Sequence, residues 1–326
     1  MLGYVIRRLL YAVPILIGVN LLTFLLFFVV NTPDDMARMQ LGARRVTPEA
    51  IEKWKSERGY DLPLAWNSKE ESLFNKAGKT IFAQKSARLF LFDFGYSEDK
   101  RDIAAEIRQR MWPSLALAVP VFLVGLAVCI SFALLLAFFR ATYVDFWGVV
   151  LCVAMMSVST LFYIIGGQYV ASKLWHLVPI SGYAGGLDAA RFLVLPVTIG
   201  VISGVGASSR WYRTLFLEEM GRDYVRTARA KGLAETAVMF RHVLKNAMIP
   251  ILTGAVVVIP LLFLGSLLQE SFFGIPGLGS YTIEAIQSQD FAVVRAMVFL
   301  GSVFYIVGLI LTDLSYTLVD PRVRLE

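Results

Sequence analysis

Six long stretches of the sequence contain no Asp, Glu, Lys or Arg. The shortest has 17 residues and the longest has 28, and an α-helix needs about 20 predominantly apolar residues to cross the hydrocarbon core of a bilayer. Transmembrane β-strands are shorter and alternate in polarity at every second residue. The sequence therefore predicts an all-α integral membrane protein with six transmembrane helices. The uncharged stretches are Leu9–Val30, Trp112–Phe139, Phe146–Ser172, Phe192–Ser209, Asn246–Gln269 and Ala296–Thr312.

The charged residues are crowded into the rest of the chain. The other 190 of the 326 residues hold all 56 charged side chains, and 57% of the whole sequence is hydrophobic. An ordinary soluble domain is about 45–50% apolar, so this composition excludes a soluble globular enzyme, a disordered protein and a nucleic-acid-binding domain. The net charge of +6 is typical of a membrane protein whose Lys and Arg gather in cytoplasmic loops.

Residues 1–30 are predicted to form a retained N-terminal membrane helix. Arg7 and Arg8 precede an uncharged stretch of 22 residues, which is longer than the apolar region of roughly 7–15 residues in a signal peptide. We expect Pro14 to lie in the first turns of this helix, where its missing N–H costs least.

The distribution of basic residues predicts that both termini are cytoplasmic. In that orientation the short cytoplasmic segments carry 13 Lys and Arg residues, against 3 in the short external loops, and the positive-inside rule assigns the richer side to the cytoplasm. Residues 31–111 then form an external segment. Residues 112–326 form the core domain, with 210–245 as its main cytoplasmic loop.

Helix signals indicate that the external segment is structured. Thr47 is a candidate N-cap, Pro48 fits the first helical position and Gly59 fits the end of the helix. A second helix is predicted over 102–110, leading into the next membrane helix. The aromatic residues between 54 and 92 either build a small core or lie along the membrane interface. A connection without a role of its own is the remaining alternative, although 81 residues are long for one.

The main cytoplasmic loop contains the most informative pattern in the chain. Asp223 is a candidate cap for a short helix over 224–231, and Gly232 is expected to end it in the left-handed conformation. The small side chains of Ala228 and Ala230 let this helix seat closely in a groove of another protein. Chemistry alone leaves two interpretations open, a docking element and a basic loop that keeps this side in the cytoplasm. Its donors for carboxylates are Arg226, Arg229 and Lys231.

Several motifs together resemble one family. They are residues 223–232 (DYVRTARAKG), Tyr4–Leu10, Glu57–Leu64, Asp93–Ser97, Pro113–Ala118, Glu270–Gly279 and Asp320–Arg322. The combination is similar to the permease subunits of ATP-binding-cassette (ABC) importers, in the dipeptide, oligopeptide and nickel branch, and there to the subunit with a long first external loop. The resemblance implies the type I importer permease fold, with a mixed external insertion between helices 1 and 2.

The resemblance also implies two sets of site residues. In that family the loop that 223–232 resembles forms a coupling helix, which docks into a cleft on the ATPase subunit. The implied coupling residues are Asp223, Tyr224, Arg226, Thr227, Ala228, Arg229, Ala230, Lys231 and Gly232. The segment 270–279 has two interpretations, an external gate or binding-protein contact and a shaped re-entrant turn. The gate or contact residues are Glu270, Phe273, Pro276, Gly277 and Gly279.

The resemblance further implies partners and a location. The partners are a second homologous permease subunit, two ABC ATPase subunits or domains, an extracytoplasmic substrate-binding protein and the lipid bilayer, with no nucleic acid. The membrane is the plasma membrane of a prokaryote, which is the inner membrane if the cell is Gram-negative. We expect the chain to hold no catalytic residue, metal or cofactor, and ATP and Mg²⁺ to be used by the partner ATPases. Its one Gly-Lys-Thr, at 78–80, lacks the first glycine of a P-loop, because Leu73 occupies that position.

The predicted function is therefore a permease subunit that forms half of a translocation path for peptides or a related small solute. A secondary, ion-driven transporter is the first alternative, although intramembrane carboxylates and internal repeats, which are typical of that class, are not apparent. A membrane receptor or assembly subunit is the second. Residues 67–91 look like an insertion relative to the family pattern, so peptides, nickel chelates, glutathione and oligosaccharides all remain open as substrates.

Overall fold

The fold is known from a computed structural model, which describes residues 2–42, 47–68 and 73–319. Those residues form fourteen α-helices, and one isolated β-bridge joins Tyr96 to Asp102. The helices are α1 Leu2–Phe24, α2 Pro33–Leu41, α3 Pro48–Arg58, α4 Leu73–Gly78, α5 Ile103–Phe138, α6 Tyr143–Ser157, α7 Thr160–Gly167, α8 Ala189–Met220, α9 Asp223–Ala230, α10 Glu235–Val238, α11 Leu244–Leu261, α12 Leu267–Phe273, α13 Leu278–Gln287 and α14 Phe291–Val319. Short π-helical turns span Leu25–Val30, Phe82–Ser86, Gln168–Leu174 and Met239–Val243, and 3₁₀ turns span Ala87–Leu91, Gly186–Asp188 and Leu262–Leu264.

The described residues contain five helical segments that are long and apolar enough to cross a membrane. A sixth exists if α6 and the segment Thr160–Leu174 count as one broken span, since the two meet at 89°. The predicted all-α, multi-pass membrane protein is confirmed, with its third span sharply bent. The five unbroken segments are Ile6–Val30, Ile103–Phe138, Ala189–Met220, Glu235–Leu264 and Phe291–Ser315.

The bend in the third span has a local cause. Val158 is extended (φ −96°, ψ 126°), and Ser159 caps α7 by accepting a hydrogen bond from the Leu161 N–H at 3.4 Å. The Tyr163 hydroxyl donates to the Met155 carbonyl at 2.9 Å, and the same carbonyl accepts from the Val158 N–H at 3.4 Å, so the end of α6 is tied to α7. An uncharged stretch predicts burial in the bilayer but does not predict this break.

The first helix differs from the prediction at one residue. Because α1 begins at Leu2, Pro14 lies in the helix interior and not in the first turns, so that prediction is wrong. The missing N–H of Pro14 removes a hydrogen bond from the middle of the helix.

The chain divides into two compact units. The first contains the described residues up to Arg110 together with Tyr281–Ile310. Its core combines residues of the first span, of 31–111 and of the start of the last helix. Trp54, Tyr60 and Phe82 belong to this core, as one of the two interpretations predicted, whereas Trp66, Phe90 and Phe92 are exposed. The core residues are Phe24, Phe27, Phe28, Met36, Ala37, Ile51, Trp54, Tyr60 and Ile81, with Leu62, Phe82, Phe291 and Val294 packed against them.

The helix ends predicted within residues 31–111 are confirmed. Thr47 Oγ1 accepts a hydrogen bond from the Ala50 N–H at 3.3 Å, and Gly59 ends α3 with φ +69°. Asp102 Oδ1 accepts from the Ala104 N–H at 2.9 Å at the start of α5. These signals are local, so they predict the structure without knowledge of the core.

The segment Phe82–Leu91 lies against the first and last spans of the first unit. Asn20 Nδ2 donates to the Ser86 carbonyl at 3.0 Å, and Arg295 Nη1 donates to the Lys85 carbonyl at 3.5 Å. Asn20 lies ten residues before the end of the span Ile6–Val30, which is about 15 Å along a helix. These two side chains therefore satisfy two backbone carbonyls of the segment and tie it to both spans.

The second unit contains Met111–Ser280 and the described continuation of α14 from Leu311. Cys129 and Cys152 are 4% and 0% exposed, so both are buried core residues. The contacts place Tyr281–Ile310 with the N-terminal unit, whereas the sequence grouped 112–326 as one domain. The Asp320–Arg322 motif and residues 69–72 of the insertion lie outside the described residues.

Candidate functional site

The short helix α9 connects α8 to the span that begins at Glu235. It starts one residue earlier than predicted, so Asp223 lies in its first turn and not at the cap. The N-cap position is Arg222, which makes no side-chain cap bond, and the Asp223 carboxylate lies 3.4 Å from the Arg226 guanidinium. The predicted cap is therefore wrong. The left-handed end of the helix is confirmed, since φ of Gly232 is +76°.

One face of α9 is buried within the second unit. Val225 and Ala228 are 0% and 4% exposed and pack against the ends of α5, α8 and the span that follows α9. The expectation that Ala228 seats in a partner's groove is therefore corrected, because this side chain faces the core of its own chain. The other core members are Ala133, Leu134, Ala137, Phe216, Met220, Val238, Met239, Val243, Ala247 and Ile251.

Two side-chain contacts also tie α9 to its neighbours. The Tyr224 hydroxyl donates to Glu219 Oε2 at the end of α8, and burial, followed by this hydrogen bond, raises the pKa of Tyr224. The Arg229 guanidinium forms a two-point ion pair with the Glu235 carboxylate, with Nε 3.0 Å from Oε2. The donors of Arg229 that the sequence assigned to a partner are thus engaged within the chain. Helix α9 is fastened to both of the spans that it joins.

The opposite face of α9 is open to solvent. Arg226 exposes 74% of its side chain. Beyond the helix, Leu233 and Phe240 expose 40% and 62% of their area, and the sequence analysis singled out neither of them. In the sequence, the only indication of exposure is that Leu233 follows the glycine that ends a helix and that Phe240 lies within a basic stretch. We define the docking surface as the exposed residues Asp223, Arg226, Thr227, Ala230, Lys231, Gly232 and Leu233.

A buried ion pair that the sequence analysis missed joins α8 to α6. Arg213 Nε and Nη2 each lie 2.7 Å from an oxygen of Asp145, which is 6% exposed. Asp145 Oδ2 also accepts from the Ala141 N–H at 3.1 Å. Both charges flank uncharged stretches, Asp145 directly before Phe146 and Arg213 shortly after Ser209, so the pattern indicated loop residues. The pair fixes α8 about two turns before its end.

The turn after α11 encloses a buried carboxylate. Glu270, in α12, is 0% exposed, and its two oxygens accept from the Ser266 N–H at 3.0 Å and the Ser280 N–H at 3.1 Å. The Ser114 hydroxyl of α5 accepts from the Leu278 N–H at 2.8 Å and is also hydrogen-bonded to Glu270. Burial raises the pKa of Glu270, and the hydrogen bonds oppose this rise. One carboxylate thus holds α5, α12 and α13 together.

The predicted gate residues lie inside this turn. A Cβ atom at Gly277 would collide with the Glu270 carboxyl group, and one at Gly279 would lie 2.6 Å from a backbone carbon. Phe273 is 1% exposed, and of the five residues assigned to a gate or binding-protein contact only Pro276 is exposed. The assignment of the other four to an external contact is corrected, because a partner cannot reach them in this conformation. The geometry supports the shaped turn.

No group of three or more His, Cys, Asp or Glu that could hold a metal ion occurs within the residues that the structure describes. The Gly-Lys-Thr at 78–80 joins α4 to the next helical segment, where Thr80 Oγ1 accepts from the Ala83 N–H at 3.2 Å. It lacks the first glycine of a P-loop, because Leu73 occupies that position. The described residues therefore offer an exposed docking surface and a packed turn.

Comparison with known proteins shows which family the chain is similar to. Residues 109–325 match the family described as binding-protein-dependent transport system inner membrane component, and residues 1–118 match the N-terminal part of such components. A putative peptide transport system permease protein of Brucella abortus is 31% identical over 100% of both chains. The dipeptide transport system permease protein DppB of Escherichia coli K12 is 29% identical, and the di/tripeptide transport system permease protein DppB of Pseudomonas aeruginosa is 30% identical, each over 99% of both chains.

Proposed function

The chain belongs to the family of inner membrane components of binding-protein-dependent transport systems, and from this membership we propose how it couples to an ATPase. It is a permease subunit of an ABC importer, as its resemblance predicted, and its relatives are transport subunits and not enzymes. The comparisons favour this function over an ion-driven transporter or a receptor. A permease of this family works with an ATPase and a substrate-binding protein.

The docking surface is the contact for the ATPase. The observation that carries this proposal is the division of α9 into two faces. Val225 and Ala228 are buried in the chain's own core, and Tyr224 and Arg229 are tied to neighbouring helices, while the opposite face is open. A helix with one packed face and one exposed basic face suits a rigid contact with a carboxylate-bearing groove.

Coupling follows from the way that α9 is held. Nucleotide-driven motion of the ATPases moves α9 together with α8 and the span that begins at Glu235. The Asp145–Arg213 ion pair passes the motion of α8 to α6. Such a rigid-body movement alternates access to a central path without any chemistry in this chain.

The assembly around the chain is a heteromer in the membrane. A second homologous permease subunit, two ABC ATPase subunits or domains and an extracytoplasmic binding protein complete it. The excess of 13 over 3 basic residues on one side supports cytoplasmic termini and a cytoplasmic α9. ATP and Mg²⁺ are used by the ATPases, and this chain binds no cofactor.

The substrate is a peptide or a related small solute. The support for this is that relatives that match the chain from end to end are described as dipeptide, di/tripeptide and peptide transport permeases. The turn 266–280 follows the span Glu235–Leu264 at the end remote from α9. It gives that end of the span a fixed shape. Of the residues first assigned to a binding-protein contact, Pro276 keeps that role.

The experiment is a charge reversal on the docking surface. Purified importer carrying Arg226→Glu should lose about 90% of the ATPase activity that the binding protein stimulates, because a like charge now faces the groove. The matched control is Arg191→Glu, an exposed arginine at the opposite end of α8. Stimulated hydrolysis and ATPase co-purification that are the same in both variants as in the wild type would contradict the proposal.

A further inference from the structure

The first unit contains a cavity of about 760 Å³, remote in sequence from the docking surface. Its walls come from the end of α3, the segment around Phe82–Ser86, the loop 93–100 and the start of α14. Sites for small molecules typically enclose roughly 300–1,000 Å³. The cavity is therefore large enough for a solute the size of a dipeptide.

The charges that line the cavity are not balanced. Five cationic and three anionic side chains contribute to its walls, an excess of two positive charges at neutral pH. A cavity with net positive charge attracts anions. The cations are Arg58, Lys85, Arg88, Lys100 and Arg295, and the anions are Glu57, Asp93 and Glu98.

The three carboxylates are already engaged by two of the arginines. Arg58 pairs with Glu98, with Nε 2.7 Å from Oε2, and its Nη1 lies 3.8 Å from Glu57. Arg88 Nη1 lies 3.5 Å from Asp93. Among the described residues, neither Lys85 nor Arg295 has a carboxylate oxygen within 4 Å. The excess positive charge thus includes the ammonium group of Lys85 and the guanidinium group of Arg295.

Arg295 is 4% exposed, which makes it a buried cation in the wall of the cavity. Its Nε donates to the Phe291 carbonyl at 3.3 Å, its Nη1 donates to the Lys85 carbonyl at 3.5 Å, and Cζ lies 4.7 Å above the Phe28 ring. Carbonyl dipoles and an aromatic face orient this guanidinium but do not cancel its charge. A buried charge without a counter-ion is costly, so the site favours an incoming anion.

Asp290 does not provide that counter-ion directly. It attracts Arg295 electrostatically, but its two oxygens accept hydrogen bonds from the Glu98 N–H at 2.8 Å and the Val293 N–H at 3.2 Å. Lys85 directs its ammonium toward the Tyr60 ring, 5.3 Å from the centroid. The pKa of Lys85 is lowered, first by burial and then by the positive charge of Arg295, and a bound anion opposes both effects.

We propose that this cavity binds the carboxylate of a small solute between Lys85 and Arg295. A planar guanidinium and a mobile ammonium together suit a carboxylate. The choice of a peptide as the solute rests on the proposed function, whereas the need for an anion rests on the geometry alone. The site lies in the segment that the proposed orientation places on the side where substrate arrives.

The test measures binding to the importer in lipid nanodiscs without its binding protein, by isothermal titration. The probes are the dipeptide Ala-Ala, its C-terminal amide and inorganic phosphate. The variants are Lys85→Met, which keeps the aliphatic length, and Arg295→Gln. Lys53→Met is the matched control, because Lys53 is exposed on α3 and does not line the cavity. The expected result is that Ala-Ala binds at least about tenfold more tightly than its amide, and that both cavity variants lose at least about tenfold in affinity.

Four results overturn the proposal. Equal binding of acid and amide, or unchanged binding in Lys85→Met, removes the carboxylate contact even if Arg295→Gln does not fold. If phosphate binds and Ala-Ala does not, the site takes an inorganic anion and not the carboxylate of a peptide. If no small probe binds but Lys85→Met weakens retention of the binding protein, the carboxylate belongs to that protein. Stimulated ATPase activity, measured in the same variants, reports on the proposed function separately, because the docking surface is intact in all of them.

Discussion

Arg213 and Asp145 form a two-point ion pair that joins α8 to α6, with Nε–Oδ1 and Nη2–Oδ2 distances of 2.7 Å. The carboxylate is almost completely buried, and its Oδ2 also accepts from the Ala141 N–H at 3.1 Å. A guanidinium that meets a carboxylate at two points restricts both distance and angle. The pair therefore makes the end of α8, from which α9 continues, rigid with respect to α6.

Loss of this arginine should destabilise the second unit. Arg213→Met leaves the Asp145 carboxylate buried without its partner, and removal of one member of a buried pair costs about 3 kcal/mol. Thermal unfolding in detergent measures the loss. Arg210→Met, an exposed arginine on the same helix, should unfold like the wild type. Adding Asp145→Asn to Arg213→Met should restore part of the stability, and failure to do so would show that the pair is not the cause.

The left-handed residue after α9 should be sensitive to side-chain shape. No atom of the chain lies within 4 Å of a Cβ built on Gly232, but its φ is +76°, so within the chain a substitution acts through backbone strain alone. Gly232→Val should cost about 1–2 kcal/mol at this position and shift the helix end, lowering binding-protein-stimulated ATPase activity while membrane insertion continues. Gly232→Asn is the matched control at the same site, because asparagine tolerates this conformation. Equal activity in the two variants contradicts the requirement for a left-handed residue.

The features of this fold that depend on local chemistry could be predicted from sequence. Thr47 and Gly59 bound α3 as expected, because capping involves only residues nearby in the chain. The buried face of α9 could not be predicted in this way. Ala228 has a small side chain that suits a partner's groove and its own core equally, and only the approach of α5 and α8 decides between them.

Arg295 shows a second limit of the sequence pattern. The last uncharged stretch begins at Ala296, so the pattern indicates that Arg295 lies in the loop before the last span. In the structure it belongs to α14 and contacts the Lys85 carbonyl and the Phe28 ring, which are more than 200 residues away in the chain. A charge beside an apolar stretch looks the same in sequence whether it faces water or a cavity.

The buried carboxylate in the turn should make stability depend on pH. Burial raises the folded-state pKa of Glu270 above its ordinary value of 4.5, so protonation favours the folded chain. This contribution is fully present below the ordinary value and is lost as pH rises through the folded-state value.

The measurement compares wild type with Glu270→Gln, which cannot titrate. The amide turns one acceptor into a donor that faces the Ser266 or Ser280 N–H, so we expect the variant to be less stable by about 1–3 kcal/mol. The stability difference between the two proteins should be larger near pH 5 than near pH 8. The other titrating groups are common to both proteins and cancel in the comparison. A difference that stays constant or grows with pH would mean that the pKa of Glu270 is not raised.

The segment that bonds to Asn20 should meet lipid on its outer side. Leu91 and Phe92 expose 80% and 53% of their area, and Phe92 makes an edge-to-face contact with Phe299 of α14, with ring centroids 6.4 Å apart. Since Asn20 lies about 15 Å along the helix from the end of its span, these apolar side chains lie at the depth of the hydrocarbon or its boundary. Exposed apolar groups at that depth are stabilised by lipid.

Spin labels distinguish lipid from water at this surface. In a background of Cys129→Ala and Cys152→Ala, a nitroxide on Leu91→Cys should be relaxed more by oxygen, which concentrates in hydrocarbon, than by a water-soluble nickel chelate. Asp99→Cys is the control, because Asp99 is exposed in the neighbouring loop, and there the nickel chelate should dominate. If the label at position 91 is accessible to neither reagent in the assembled importer but becomes accessible in the isolated chain, a second subunit and not lipid covers this surface. If the chelate dominates at both positions, the segment lies in water, and the contacts of Asn20 and Arg295 serve only to hold the external segment in place.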